Sequence, residues 1–279
     1  MNLMTAPPSR LDTLLPLLAC PSCHAALQRG EDNLLCCGCG THFTLREGRP
    51  VFWSDTANVT IMPAHHFSNE IPEYVQDWLT WFDGVVLNIG AGGTHFKFDN
   101  CVEFEACLFR NTDVVGDAHH LPFADEAFDA VITFNTFEHL REPKRAASEI
   151  HRVLKPGGKL ILDTAFLQPV HEAPYHFYNT TEYGLRHWFD SFTITKLEVS
   201  ENFSPACVIS WLTSELLSAV ETTQGREAAQ QLAATPLAFW RSLWANPAER
   251  KHPVWQMLGR LPQEVQKRLS AGFRLEAVK

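Results

Sequence analysis

Val85-Val86-Leu87-Asn88-Ile89-Gly90-Ala91-Gly92-Gly93-Thr94 is an apolar run that breaks into a glycine-rich turn. A buried strand entering such a turn is where a parallel α/β sheet receives a nucleotide-like ligand. Glycines at 90 and 92 would let the backbone approach that ligand closely. Gly-x-Gly alone also occurs in hairpins, so the weight falls on the residues beyond the turn. Residues 101–105 read as a second strand ending in acid, and a carboxylate there commonly accepts hydrogen bonds from a ribose diol. Residues 113–118 make a third strand, again ending in acid, and residues 128–134 a fourth. Residues 146–154 have helical character, stopped by Pro156-Gly157-Gly158, and residues 159–166 make a fifth strand. Residues 72–82 precede the set as a helix, with Val75, Trp78, Leu79 and Phe82 at helical spacing. Strands alternating with helical or loop crossovers predict an α/β fold, a doubly wound and mostly parallel sheet.

The amino-terminal part obeys a different logic. Cys20-Pro21-Ser22-Cys23 and Cys36-Cys37-Gly38-Cys39 are two thiolate knuckles at zinc-ribbon spacing. Each knuckle aims two sulfurs at one point, so Cys20, Cys23, Cys36 and Cys39 complete a tetrahedron and Cys37 points away. Gly38 and Gly40 suit the turn through their tolerance of positive φ. Free thiols or disulfides are the other reading, and paired CxxC spacing without signs of secretion favours metal. Four protein ligands close the coordination sphere, which makes the zinc structural. A module of this size has little core of its own, which makes the metal its expected staple. The Leu-rich run before Cys20 carries Asp12 and Pro16 and is too short for a signal peptide, so the expected location is cytoplasmic.

The chain of 279 residues carries 23 basic and 32 acidic side chains, a net charge of −9. Most of the excess acid lies in residues 56–200, which disfavours a nucleic-acid partner. No apolar stretch reaches about 18 residues, so no membrane span is expected.

Residues 84–166 resemble the class I S-adenosylmethionine-dependent methyltransferases. The resemblance rests on Leu87–Gly92, Gly116-Asp117-Ala118 with Leu121-Pro122-Phe123, Phe128–Val131, Phe137-Glu138-His139 and Arg152–Gly158. Residues 192–199 alternate in strand fashion and read as a sixth strand; the resemblance implies a seven-stranded sheet over residues 56–279, whose last, antiparallel strand fits at about 272–278. It implies that Gly90 and Gly92 cradle the methionine part of S-adenosylmethionine. Glu105, with Glu103 as runner-up, would hold the ribose, and Asp117 and Ala118 would read the adenine. Asn88 stands where the family has an acid and Thr94 where it has a third glycine; Asn135 ends the fourth strand at the cofactor's edge. Residues 14–55, within an expected ribbon domain of 1–55, resemble the small zinc-ribbon proteins that partner and activate methyltransferases, which implies a scaffold role.

Methyl transfer needs an acceptor held in line with the methyl, and a base when the acceptor is protonated. His139, His171 and His176 are the candidate bases, the last two in a His-x2-Pro-x-His arrangement beyond the fifth strand, where similar enzymes line the acceptor pocket. The other reading is structural: His171 and His176 hydrogen-bonded in a loop that Pro174 shapes, and His139 at a helix start. Residues 134–137 lack the Asn/Asp-Pro-Pro-Tyr loop that similar enzymes use on planar amino groups. The expected reaction is therefore methylation of a small-molecule or glycan-type acceptor at oxygen. RNA or protein methylation, or a non-catalytic ribbon-anchored interaction protein, is the alternative. A helical insertion at about 206–269 carries two aromatic stripes, around Trp211–Val220 and Leu237–Trp244, suited to core, acceptor lid or homodimer surface.

Overall fold

The structure, a computed structural model, describes residues 9–53, 59–200, 203–245, 251–269 and 271. The chain forms two compact units, residues 1–165 with 180–197 and residues 166–179 with 198–279.

The first unit holds two sheets. Strands β1 (Leu27–Arg29), β2 (Asn33–Cys36), β3 (His42–Arg46) and β4 (Arg49–Pro50) form an antiparallel sheet in sequence order. Strands β5 (Val86–Ile89), β6 (Cys101–Glu105), β7 (Val114–Val115), β8 (Phe128–Phe134) and β9 (Leu154–Asp163) form a parallel sheet of order β7-β6-β5-β8-β9. Chain direction across the sheet reverses between β5 and β8, which opens a crevice at their carboxyl ends.

Alternation along the strands divides the core. Leu87, Ile89, Val102, Phe104, Val114 and Val131 enter one apolar cluster with helix α3 (Pro143–Val153), through its Ala146, Ala147, Ile150 and Val153. Val86, Cys101, Ala130, Ile132 and Phe134 face the other way, onto Val75 and Leu79 of α2 (Glu73–Trp81). Both faces of the strands are thus covered, which is why they read as continuous apolar runs in the sequence.

Three of the four crossovers contain no helix: residues 90–100, 106–113 and 116–127 are loops, and only the β8-to-β9 connection carries one, α3. The amino-terminal module fills part of the sheet face that they leave bare. Helix α1 (Arg10–Leu14) starts at a capping box between Ser9 and Asp12, and Leu11, Leu14 and Leu18 join the cluster of Phe104, Phe123 and Phe128. Leu18 also bridges to Phe123, and Val51 bridges in parallel to Val115 at the sheet edge. The cysteine module therefore shares its core with the sheet. Each buried leucine contributes roughly 2 kcal/mol, so the module has apolar support of its own apart from any metal.

Two strand expectations change. Residues 192–199 form no strand, and β9 ends the sheet among the described residues. Phe192 packs on Phe189 and on the His151 ring instead of joining a ladder, beyond helix α4 (Glu182–Trp188). The sheet described therefore has five strands; the strand expected at 272–278 lies outside the described residues. The fifth strand begins at Leu154 and passes Pro156–Gly158 as a bulge, with Phe128 opposite Leu154 but Ala130 opposite Lys159.

The second unit is helical: α5 (Pro205–Gln224), α6 (Arg226–Ala233), α7 (Leu237–Ala245), α8 (Pro253–Gly259) and α9 (Gln263–Leu269). Gly225, at φ +92°, separates α5 from α6. Val220, Ala229, Leu232, Val254 and Met257 form its own core, so the expected stripes serve this unit. Only the carboxyl half of α5 is drawn in, since Trp211 and Leu212 stay exposed, as does Leu237 at the start of α7. No helix among the described residues is long and apolar enough to cross a membrane.

The tie between α1 and the sheet is ionic as well as apolar. Arg10 grips Asp113 with Nε at 3.0 Å and Nη2 at 2.9 Å, and donates to the carbonyls of Asp99 and Cys101. Arg10→Ala is expected to lower stability by about 3 kcal/mol, as is usual when a buried carboxylate loses a partner, measured by urea unfolding. A variant as stable as the parent contradicts this account.

Candidate functional site

The carboxyl ends of β5, β6, β7 and β8 bring together the residues singled out for a cofactor. Gly90 and Gly92 have φ of +68° and +60°, the left-handed region that favours glycine. What crowds them is the chain itself. A Cβ on Gly90 would lie 2.0 Å from Thr136 Oγ1, and one on Gly92 would lie 2.8 Å from Ser68 Oγ. Thr136 reaches across from the end of β8 and donates to the carbonyls of Phe134 and Ile89.

A strap formed by the stretch ahead of α2 lies on this turn. Ser68 and Gly93 exchange backbone hydrogen bonds, both 3.1 Å, and Asn69 Nδ2 donates to Gly90 O at 2.8 Å. Phe67 stacks on His95 at 3.9 Å between ring centroids, and the Arg110 guanidinium lies over Phe67. Little in the sequence marks this strap beyond the adjacent Ser68-Asn69 pair.

Glu105 ends β6 with its carboxylate turned to the glycine loop, accepting from Gly92 N–H at 2.9 Å and Ala106 N–H at 2.6 Å. Burial pushes its carboxyl above the ordinary range, against these two donors. Each oxygen keeps acceptor capacity. Glu103, the runner-up, is buried and points elsewhere: Asn88 Nδ2 donates to its Oε2 at 3.0 Å across the β5–β6 ladder. Asn88 is therefore a partner inside the sheet. A carboxylate at 88 would face another carboxylate there, so the amide that departs from the family pattern matches the acid at 103.

Asp117 follows β7. Burial would raise its carboxyl, but the His119 ring and backbone N–H both bond Oδ1 and hold it below the ordinary range. The His119 Nε2 in turn accepts from Glu142 N–H at 3.1 Å, which fixes the ring. Ala118 beside it is buried. Asn135 closes β8 in the left-handed region, φ +47°, with its N–H on Asp163 O.

The histidines fall in different settings. His139 ends the 3-10 turn Phe137–His139 in the first unit, half-buried, with its N–H on Thr136 O. His171 and His176 belong to the second unit, their rings 4.3 Å apart. His176 Nδ1 accepts from the His171 N–H, and its Nε2 meets Tyr178 O at 3.1 Å, so both nitrogens serve their own loop. Sequence pattern gives catalytic weight to these rings and passes over Glu138. That side chain is fully buried beyond β8; Oε2 accepts from Thr164 Oγ1 at 2.9 Å, and Oε1 has no hydrogen-bond partner among the described residues. An unsatisfied buried carboxylate oxygen is costly and calls for a ligand or a chemical role.

The four predicted thiols converge in the amino-terminal module. Sulfur atoms of Cys20, Cys23, Cys36 and Cys39 all lie within 4.8 Å of one another, with Cys20–Cys39 at 3.7 Å and Cys23–Cys36 at 3.4 Å. Gly38 and Cys39 N–H both point at Cys36 Sγ, 3.4 Å away. Gly40 has the positive φ expected, +74°. Gly38 is needed for another reason: its Cβ would lie 2.7 Å from Ala25 Cβ.

Residues 95–162 match the family described as "Methyltransferase domain". That span runs from just past the glycine turn into β9 and does not include β5. A demethylmenaquinone methyltransferase of Paenarthrobacter aurescens is 41% identical over 117 residues, 36% of this chain and 45% of that protein. A ubiquinone/menaquinone biosynthesis C-methyltransferase of Haemophilus ducreyi is 34% identical over 83 residues, 27% of this chain and 32% of that protein. The chain thus spans less than half the length of either relative. Among solved structures, the YcgJ protein of Bacillus subtilis is 16% identical, over 69% of this chain and 86% of that one, with a TM-score of 0.34.

Glu103 gives the site a pH signature. Burial, the largest influence, pushes its carboxyl from 4.5 up to about 7. The folded state then holds a proton that the unfolded chain has lost, so stability falls as pH rises between those two values. Glu103→Gln, which keeps the bond to Asn88, is expected to flatten that slope in urea unfolding at pH 5 and pH 8. An unchanged slope contradicts the assignment.

Proposed function

We propose that this protein transfers the methyl group of S-adenosylmethionine to a ring carbon of a small hydroxylated aromatic acceptor of the quinol type. The observation that carries the reading is the meeting of the glycine turn, Glu105 and Asp117 at the carboxyl edge of a β7-β6-β5-β8-β9 sheet. The relatives move the expected methylated atom from oxygen to carbon, since one is named a C-methyltransferase and neither is named for a glycan.

The residues present fit such a donor. Glu105 retains acceptor capacity for a ribose diol, Asp117 for an exocyclic amine, and Ala118 offers backbone beside it. When bound, the donor supplies an electrophilic methyl on a sulfonium. The protein's part is to hold donor and acceptor in line and exclude water. Methylation of an aromatic carbon forms a C–C bond and releases the proton of that carbon, and a neighbouring hydroxyl must lose its proton for the ring to attack. Glu138 is the group placed to take a proton: a buried carboxylate with one open oxygen, two residues beyond the Thr136 that touches Gly90. His139 is the adjacent base, while His171 and His176 are read as structural.

The thiol cluster fits one structural zinc. Zn–S bonds of about 2.3 Å place tetrahedral sulfurs about 3.8 Å apart, close to the Cys20–Cys39 and Cys23–Cys36 separations of 3.7 and 3.4 Å.

Calorimetry with S-adenosylmethionine is expected to show binding that Asp117→Ala weakens by about tenfold, the loss of one hydrogen bond to a charged group. Absence of binding to the parent protein rejects the reading. With a hydroxynaphthoquinol acceptor, Glu138→Gln is expected to lower kcat by about a hundredfold or more while donor affinity stays unchanged. Unaltered turnover removes Glu138 from the chemistry. Elemental analysis is expected to find one zinc per chain, lost on Cys20→Ser with Cys23→Ser.

A further inference from the structure

At the opposite edge of the sheet, where chain enters β6 and β7, a cleft of about 460 Å³ opens between the amino-terminal module and the sheet. Its charged lining is Arg10, Arg29, Arg49, Lys97 and Arg110 against Glu47 and Asp113. Such a cationic concentration is unexpected in a chain of net charge −9.

The partners of these cations show which charges are spent. Asp113 is shared by Arg10 at 2.9 Å and Lys97 at 2.6 Å, two cations on one buried carboxylate. Arg29 pairs with Asp12. Arg49 and Arg110 are different. Arg49 donates Nη1 to Phe109 O and Nη2 to Arg110 O, both 2.9 Å, and Arg110 donates Nη2 to His95 O at 3.0 Å. Carbonyls orient a guanidinium without cancelling its charge. The nearest acid to Arg49 is the exposed Glu47, at 3.9 Å. With Asp12 counted among the acids, the cations of the cleft outnumber the acids by two: Arg10 and Lys97 share one carboxylate, and Arg110 is held by a carbonyl and a ring face rather than by an acid. Preorganised guanidinium groups suit the planar, bidentate recognition of phosphate oxygens. The volume lies within the range of small-molecule sites.

We infer that this cleft binds a phosphate-bearing small molecule of the diphosphate class, bridging Arg49 of the amino-terminal module and Arg110 of the sheet. Arg10, Lys97 and Asp113 of the cleft lie where the chain enters β6 and β7, away from Glu105 and Asp117 at the carboxyl ends, while Arg110 also reaches the strap through Phe67 and His95. A ligand here touches no reacting atom; it acts by clamping the module to the sheet, raising the stability of the packing shared by α1 and β7. The inference stands independently of the methyl-donor reading.

The test is titration of the full-length protein with inorganic pyrophosphate, followed by calorimetry and thermal unfolding. Binding is expected, with a raised unfolding temperature and no change in affinity for S-adenosylmethionine. Arg110→Gln and Arg49→Gln are each expected to weaken pyrophosphate by about tenfold, as loss of a charge-assisted contact does. Arg226→Gln, on an exposed pair of the helical unit, should leave it unchanged. Because Arg49 also ties two carbonyls, Arg110→Gln is the deciding variant if the other fails to fold. No binding at millimolar pyrophosphate, or binding by both cleft variants as tight as the parent's, overturns the inference. So does a single-stranded RNA oligonucleotide that binds this cleft where pyrophosphate does not.

Discussion

A single buried carboxylate ties the first unit together. Asp113 sits just before β7, accepts from Arg10 of α1 and from Lys97 ahead of β6, and takes the Glu103 N–H through the same oxygen that meets Arg10. Burial alone would raise its carboxyl, and the Arg10 and Lys97 charges hold it below the ordinary range. An ion withdrawn from water is tolerable only when its partners are in place. Helix α1, the entry to β6 and the entry to β7 must therefore be positioned together. The thiol-bearing sheet, attached through α1 and Val51, is positioned with them.

The same economy explains the sheet's loop crossovers. Parallel strands need a crossover to return to the same edge, usually a helix. Here β5 and β6 are joined by residues 90–100, and a strap from before α2 packs on that loop through Ser68 and Asn69. The face that a crossover helix elsewhere covers is taken by leucines from the amino terminus. The glycine turn is thus fixed from both sides, by Thr136 and by Ser68, and its Gly92 N–H is taken up by Glu105.

The parallel strands were legible because two-sided burial leaves continuous apolar runs, and the cysteine knuckles because their spacing is short-range. Helix α3 was legible from its apolar period and its Pro-Gly-Gly stop. The seventh strand falls outside the described residues. Phe192–Val199 alternates like a strand without forming one, because pattern alone cannot supply a neighbour to bond with. Gly90 and Gly92 announced a tight turn without revealing that the chain itself, through Thr136 and Ser68, crowds it. The pairing of Glu103 with Asn88, the buried setting of Glu138 and the strap were not legible for a common reason: each is defined by contacts distant in sequence, such as Asn88 with Glu103 and Glu138 with Thr164.

The shared core also has a consequence for the order of assembly. Leu11, Leu14 and Leu18 leave the ribosome early, while Phe123 and Phe128, with which they pack, emerge about a hundred residues later. Contacts so far apart in sequence form late and slowly. The hairpin that gathers Cys23, Cys36 and Cys39 closes over a short stretch and can form at once. During synthesis Leu11, Leu14 and Leu18 therefore wait for the partners they pack against until β8 has been made.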